Sequence, residues 1–227
     1  MTRLVLFDID LTLIRTDGAG RAAMTEAIRR LYGIDNPTDG IRFDGRTDHA
    51  IFLEAIDRHG LANGDGQEAY RRVTAEYVAM LPASLRARGG TVLPGVSVVL
   101  DALEAAGVAV GLATGNMRAG AQAKLSHFDL WHRFAGGGFG DATSNRGEVV
   151  SQAIVEVAGA VGIEPDPHDA LVIGDTPLDV AAAHQAGARA LAVATGSYDV
   201  AALRDNGAEY VVADLSDTPA LREILLG

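Results

Sequence analysis

The chain alternates between short, unbroken apolar runs and longer stretches in which apolar residues recur every three or four positions. The runs cover residues 4–9, 108–113, 170–173, 190–194 and 210–212 and are rich in Val, Ile, Leu or Ala. They lack the in–out alternation of a half-exposed strand, so they read as strands buried on both faces of a parallel sheet. Helical periodicity falls between them, over 96–106, 118–128, 147–161, 177–187 and 199–206. Gly107, Gly187 and Gly207 stand where helix C-termini are expected. This alternation of strand and helix predicts an α/β doubly wound, Rossmann-like fold.

One stretch breaks the alternation. From Gly18 to about Arg88 the chain shows no convincing strand and three helical patterns, 21–32, 48–59 and 67–85. A connection of that length needs structure of its own. The expected organisation is an α/β core made of 1–15 and 89–227, with 16–88 as a helical domain inserted after the first strand. "RARGGTVLPG", residues 86–95, carries the Gly and Pro punctuation of a return linker.

Composition narrows the function. The chain has 227 residues, 48% hydrophobic and 22% charged, as an ordinary globular protein does. No apolar stretch reaches the ~18 residues of a membrane helix. Asp8 and Asp10 interrupt the apolar start too early for a secretory signal. A cytoplasmic protein without a membrane partner is expected. The absence of cysteine excludes disulfides, thiol catalysis and thiolate metal sites. A net charge of −11 speaks against a nucleic-acid partner, whose phosphates need a basic face. Small anionic substrates remain compatible where positive charge is concentrated locally. Basic residues are almost all arginine, and Lys124 is the one lysine in the chain. Monomer and homodimer both stay open.

In open parallel sheets, ligands bind beyond the carboxyl ends of the strands. Asp8, Asp10 and Thr12 follow the first predicted strand, and Thr114, Gly115 and Asn116 follow the second. Asp175 and Asp179, in "GDTPLD", follow the third. Carboxylates gathered on one rim repel one another, and a hard cation relieves them. Mg²⁺ prefers oxygen ligands and commonly takes only one or two protein carboxylates, with substrate phosphate and water completing its shell.

This ordered set resembles the haloacid dehalogenase-like superfamily, most closely its Mg²⁺-dependent phosphatases. "DIDLT" is similar to the first motif, Asp-x-Asp-x-Thr; Thr114 to the second; "GDTPLD" to the fourth, Gly-Asp-x-x-x-Asp. The likeness covers nearly the whole chain. The insert is similar to the α-helical cap of phosphoglycolate phosphatases and β-phosphoglucomutases. Two positions depart from the usual pattern. Leu11 stands where the family usually has glycine, with its backbone freedom. The third motif is usually a lysine, but Lys124 lies only ten residues after Thr114, too early in the order. Arg146, at the start of the helix before the fourth-motif strand, is the expected cation. It keeps the charge with a forked geometry.

The resemblance implies a phosphoric monoester hydrolase acting on a small phosphorylated metabolite. Asp8 would be the nucleophile, forming an aspartyl-phosphate, and Asp10 the general acid and base. Thr114, Gly115, Asn116 and Arg146 would bind phosphate. Asp8, Asp10 through its carbonyl, and Asp175 would hold Mg²⁺. Asp179 would support that shell and orient Arg146 or Thr12. Two alternatives stay open: a phosphomutase of the β-phosphoglucomutase type, and a catalytically silent binding protein on the same scaffold.

Other features have plainer readings. Thr114 could also cap the following helix, as could Thr47 or Asp48 within "FDGRTDHAIF". Arg46 in that stretch is either a solvated charge or a substrate-selecting residue facing the site. "GAGRAA" mimics a dinucleotide fingerprint but does not directly follow its strand. "GGGFG", residues 136–140, lacks the Gly-Lys-Ser/Thr of a phosphate loop and reads as a flexible turn. The six histidines show no zinc spacing.

Overall fold

The computed structural model describes residues 3–62 and 64–226. Met1, Thr2 and Gly227, at the outer ends of the expected core, and Asn63, within the expected insert, lie outside them. The chain begins with β1 (Leu4–Phe7) and β2 (Ile14–Arg15). Three helices follow: α1 (Ala19–Tyr32), α2 (Asp48–Arg58) and α3 (Gly66–Arg88). After β3 (Thr91–Val92) the order is α4 (Val96–Ala105), β4 (Ala109–Thr114), α5 (Arg118–His127), β5 (Gly137–Phe139) and α6 (Arg146–Val161). Then come β6 (Ala170–Gly174), α7 (Pro177–Gln185), β7 (Arg189–Val193), α8 (Val200–Asp205), β8 (Tyr210–Val212) and α9 (Thr218–Leu226).

Six parallel strands form one sheet in the order β5-β4-β1-β6-β7-β8. The unbroken apolar runs are explained by helices on both faces. Val5 and Phe7 of β1 join Val110, Leu112, Leu171 and Ile173 in a cluster covered by α4, α5 and α9. Leu4 and Leu6 turn the other way, toward Val150, Ile154 and Val157 of α6 and Val180 of α7. The period of two along each strand divides the core between its faces. Among the described residues no helix is long and apolar enough to cross a membrane.

Helices α1, α2 and α3 bury a separate cluster that includes Met24, Ile28, Ile51, Phe52, Val73, Tyr77 and Leu81. The chain passes between this layer and the sheet along β2 and β3, which pair antiparallel through Ile14 and Val92. The expected return linker is therefore partly the end of α3 and partly a strand. Strands β2 and β3 escaped the sequence reading because two-residue strands carry too little periodicity to register, and α9 lies beyond the predicted helices.

The expectation of a flexible turn at residues 136–140 is overturned. Gly137–Phe139 is edge strand β5, buried and paired with β4. Its glycines are there for close approach. A Cβ on Gly137 would lie 2.4 Å from the Leu112 carbonyl oxygen, and one on Gly138 would lie 1.9 Å from that of Val149. Both are far inside van der Waals contact, so only glycine lets β5 reach β4 and α6.

Candidate active site

Three strand ends deliver the side chains. The β1 ladder continues one residue beyond the strand, with Asp8 N–H donating to the Ile173 carbonyl at 2.9 Å. The chain then turns sharply. Leu11 adopts a left-handed φ of 60°, and its N–H donates to the Ile14 carbonyl at 2.8 Å. That turn sets Asp8 and Asp10 in the wall of one cavity of about 390 Å³. The same cavity is lined by Gly115, Asn116, Lys124, Arg146 and Asp175 from the sheet side. Met24, Phe43, Ile51 and Tyr77 line it from the helical layer.

Thr114 ends β4 and is fully buried. Its Oγ1 accepts from the Asn116 amide, at 2.9 Å from Nδ2. Thr114 does not cap α5, whose N-cap residue is Met117. Gly115 is where the helical layer touches the sheet. Its carbonyl accepts from Asp48 N–H at 2.7 Å, and a Cβ on it would lie 2.3 Å from the Arg46 carbonyl oxygen. Glycine is required here by approach.

The acidic groups lie close together in the interior. Carboxylate oxygens of Asp8, Asp175 and Asp179 all fall within 4.8 Å of one another. Burial pushes the Asp8 carboxyl up to about 6, against the pull of Arg146. Burial, then repulsion from Asp179 and Asp8, pushes Asp175 up to about 9. Asp8 Oδ1 is buried with no hydrogen-bond partner, and so is Thr12 Oγ1. An orphaned buried oxygen beside carboxylates that resist ionisation fits a hard divalent cation.

Asp179 has a further job. Its Oδ2 accepts from Thr176 N–H at 3.0 Å and from Thr176 Oγ1 at 2.7 Å, a capping box that starts α7. Its Oδ1 accepts from Arg146 Nη2. Arg146 in turn stands 3.6 Å from Asp8 Oδ1. Burial disfavours the Arg146 charge, but Asp179, Asp8 and Asp175 outweigh it and hold its pKa above the usual arginine value. So Arg146 is brought beside Asp8, and Asp179 orients it.

Arg46 sits in the cavity wall with its guanidinium already engaged. Nη1 donates to Glu54 at 2.5 Å and to the Arg42 carbonyl at 3.1 Å. Asn116 is similarly occupied: Nδ2 donates to Asp10 Oδ2 at 2.8 Å and its Oδ1 accepts from Lys124.

Sequence order had set Lys124 aside, yet tertiary structure brings it in. Its Nζ lies 2.6 Å from Asp10 Oδ2 and 2.6 Å from Asn116 Oδ1. Burial lowers its pKa, but the charges of Asp10 and Asp48 more than offset this and leave it raised. A signal existed. Gly120, Ala121, Lys124 and Leu125 form the buried face of α5, and that spacing is readable in the sequence. A lone lysine on a buried helical face needs an acidic partner.

A model of the haloacid dehalogenase-like hydrolase family matches residues 5–184. The chain is 27% identical over 203 residues to a phosphoglycolate phosphatase of Rhodospirillum rubrum, covering 86% of this chain and 81% of that protein. It is 26% identical over 193 residues to a bifunctional riboflavin kinase/FMN phosphatase of Arabidopsis thaliana, spanning 85% of this chain but only 48% of that protein. Among solved structures, a hydrolase from Pseudomonas syringae matches with a TM-score of 0.71 at 22% identity, covering 99% of both chains. A β-phosphoglucomutase from Clostridium difficile matches at 0.69 and 16% identity, covering 100% of this chain and 98% of that one. These likenesses extend to the fold. With its family match running from β1 through α7, the chain belongs to the haloacid dehalogenase-like hydrolases.

Proposed function

We propose that the protein is a Mg²⁺-dependent phosphatase that hydrolyses a small phosphorylated metabolite through a phosphorylated Asp8. The observation that carries this reading is the convergence of Asp8, Asp10, Arg146 and Asp175 on one cavity beneath the helical layer. Asp8, Asp175 and the Asp10 main-chain carbonyl would hold the cation, which supplies charge neutralisation for the transferring phosphoryl group. An Asp8 oxygen attacks phosphorus as the bond to the leaving oxygen breaks, and Asp10 gives that oxygen a proton. Water then attacks the same phosphorus, Asp10 takes its proton, and the bond to Asp8 breaks. Arg146, fixed by Asp179, balances negative charge that develops on the phosphoryl oxygens. Thr114 orders the loop in which the Gly115 amide lies.

Helices α1–α3 act as the cap, walling the cavity from bulk water. The cavity wall they contribute is mixed. Met24, Phe43 and Ile51 are apolar, while Arg21, its guanidinium 4.1 Å over the Phe43 ring, and Arg46 carry charge. A compact metabolite of the phosphoglycolate or sugar-phosphate size suits that volume.

The test is Asp8→Asn with 4-nitrophenyl phosphate and Mg²⁺. Release of 4-nitrophenol should fall to background while the melting temperature holds. Wild-type turnover in the variant would refute the mechanism. A mutase would instead interconvert sugar phosphates with little net phosphate release, which the same assay with a phosphate readout separates.

A further inference from the structure

Lys124 is the single lysine of the chain. Its side chain is only 6% exposed, against 38% for the Asp10 side chain it meets. It approaches Asp10 from the interior, passing beside Gly20 of α1, where a Cβ would lie in ordinary van der Waals contact, 3.4 Å from Nζ. Asp10 Oδ2 accepts from two donors, Lys124 Nζ at 2.6 Å and Asn116 Nδ2 at 2.8 Å. Asp10 Oδ1 accepts nothing from the described residues, and Asp10 lines the cavity. Clamping one oxygen fixes the carboxyl plane and leaves the other oxygen to face the reacting atoms.

We infer that Lys124 is a positioning residue that holds the Asp10 carboxyl by Oδ2, so that Oδ1 carries the proton to the leaving oxygen. This rests on the phosphatase reading. In the first half-reaction the Asp10 Oδ1–H bond breaks and an O–H bond forms on the leaving oxygen as its bond to phosphorus breaks. In the second, the same Oδ1 takes a proton from the attacking water.

A misplaced acid hurts a poor leaving group and spares a good one. The experiment therefore compares benzyl phosphate, whose alkoxide needs a proton to depart, with 4-nitrophenyl phosphate, whose phenolate does not. The two are similar in size. The readout is kcat/KM, which covers only steps through departure of the leaving group. Lys124→Met should lower kcat/KM by about 100-fold on benzyl phosphate and by less than about 10-fold on 4-nitrophenyl phosphate. The chain contains no cysteine, so Lys124→Cys carries one thiol, and 2-bromoethylamine converts it to an ammonium of lysine's length. Aminoethylation should restore the benzyl phosphate rate. The same variant, before and after alkylation, supplies the comparison if Lys124→Met does not fold.

An equal loss on both esters would assign Lys124 to binding or to structure alone and overturn the inference, as would no loss on either. Both results leave the phosphatase reading intact. Wild-type protein that hydrolyses neither ester in Mg²⁺ would overturn that reading and this inference together.

Discussion

Leu11 holds a left-handed backbone, φ 60°, where related motifs usually carry glycine. A side chain in that region costs roughly 1–2 kcal/mol. The turn persists because its ends are tied: Leu11 N–H donates to the Ile14 carbonyl, and Thr195 Oγ1 donates to the Leu11 carbonyl. Replacing Leu11 by Gly relieves strain but frees the unfolded chain, and the two effects offset. Leu11→Gly should therefore change unfolding free energy by less than ~1 kcal/mol, whereas Leu11→Val, β-branched at positive φ, should destabilise by ~1–2 kcal/mol. Urea denaturation of both variants checks this, and a harmless Leu11→Val would contradict it. At this scale Asp8, Asp10, Thr114, Asp175 and Arg146 could be nominated from the sequence, because residue type and order suffice to pick out a motif. Lys124 could not, because linear order only set it apart from the third motif, and its reach to Asp10 is a contact between distant segments.

Among elements, the joint between α2 and the β4–α5 loop couples the helical layer to the site. Asp48 N–H donates to the Gly115 carbonyl, and Asp48 Oδ2 accepts from Met117 N–H at 2.9 Å. Burial pushes the Asp48 carboxyl up to about 6 from its ordinary 3.8, opposed by Lys124 and the Met117 amide. A raised folded pKa means that the protonated form folds more favourably. The contribution is full below about pH 4 and is lost as pH rises through 6. Two units correspond to on the order of 3 kcal/mol. Asp48→Asn keeps an acceptor for Met117 and cannot ionise. Wild-type stability relative to this variant should fall between pH 4 and 6, measured by thermal melts. A flat difference would remove Asp48 as a buried acid. The sequence offered Asp48 or Thr47 as a helix cap. Thr47 does cap α2, accepting from Ala50 N–H at 3.2 Å, while the part Asp48 plays lies across a tertiary contact.

For the whole molecule, the buried acids set its response to pH and, on the proposed Mg²⁺ reading, to cation. Asp8 at about 6 and Asp175 at about 9 both stand above the unfolded value of 3.8. Without cation, stability is greatest on the acid side and declines as the pH passes these folded values. A cation must displace their protons, so its affinity rises with pH over that range. Mg²⁺ should therefore raise the melting temperature more at pH 8.5 than at pH 6. An equal shift at both would show that these carboxyls do not hold it.

The sequence by itself determined the alternating parallel fold, the position of the helical insertion in chain order, and the acids gathered at the strand ends. Those features follow from local periodicity and from the rule that strand ends collect ligands, and neither needs distant contacts. Tertiary structure alone decided that 136–140 is a strand, that Leu11 tolerates a left-handed turn, and that Lys124 reaches Asp10. Each depends on what another segment places nearby. The Val149 and Leu112 carbonyls exclude side chains from Gly138 and Gly137, and Lys124 meets an aspartate 114 positions away in the chain. Such complementarity belongs to pairs of distant residues and leaves no pattern along the chain.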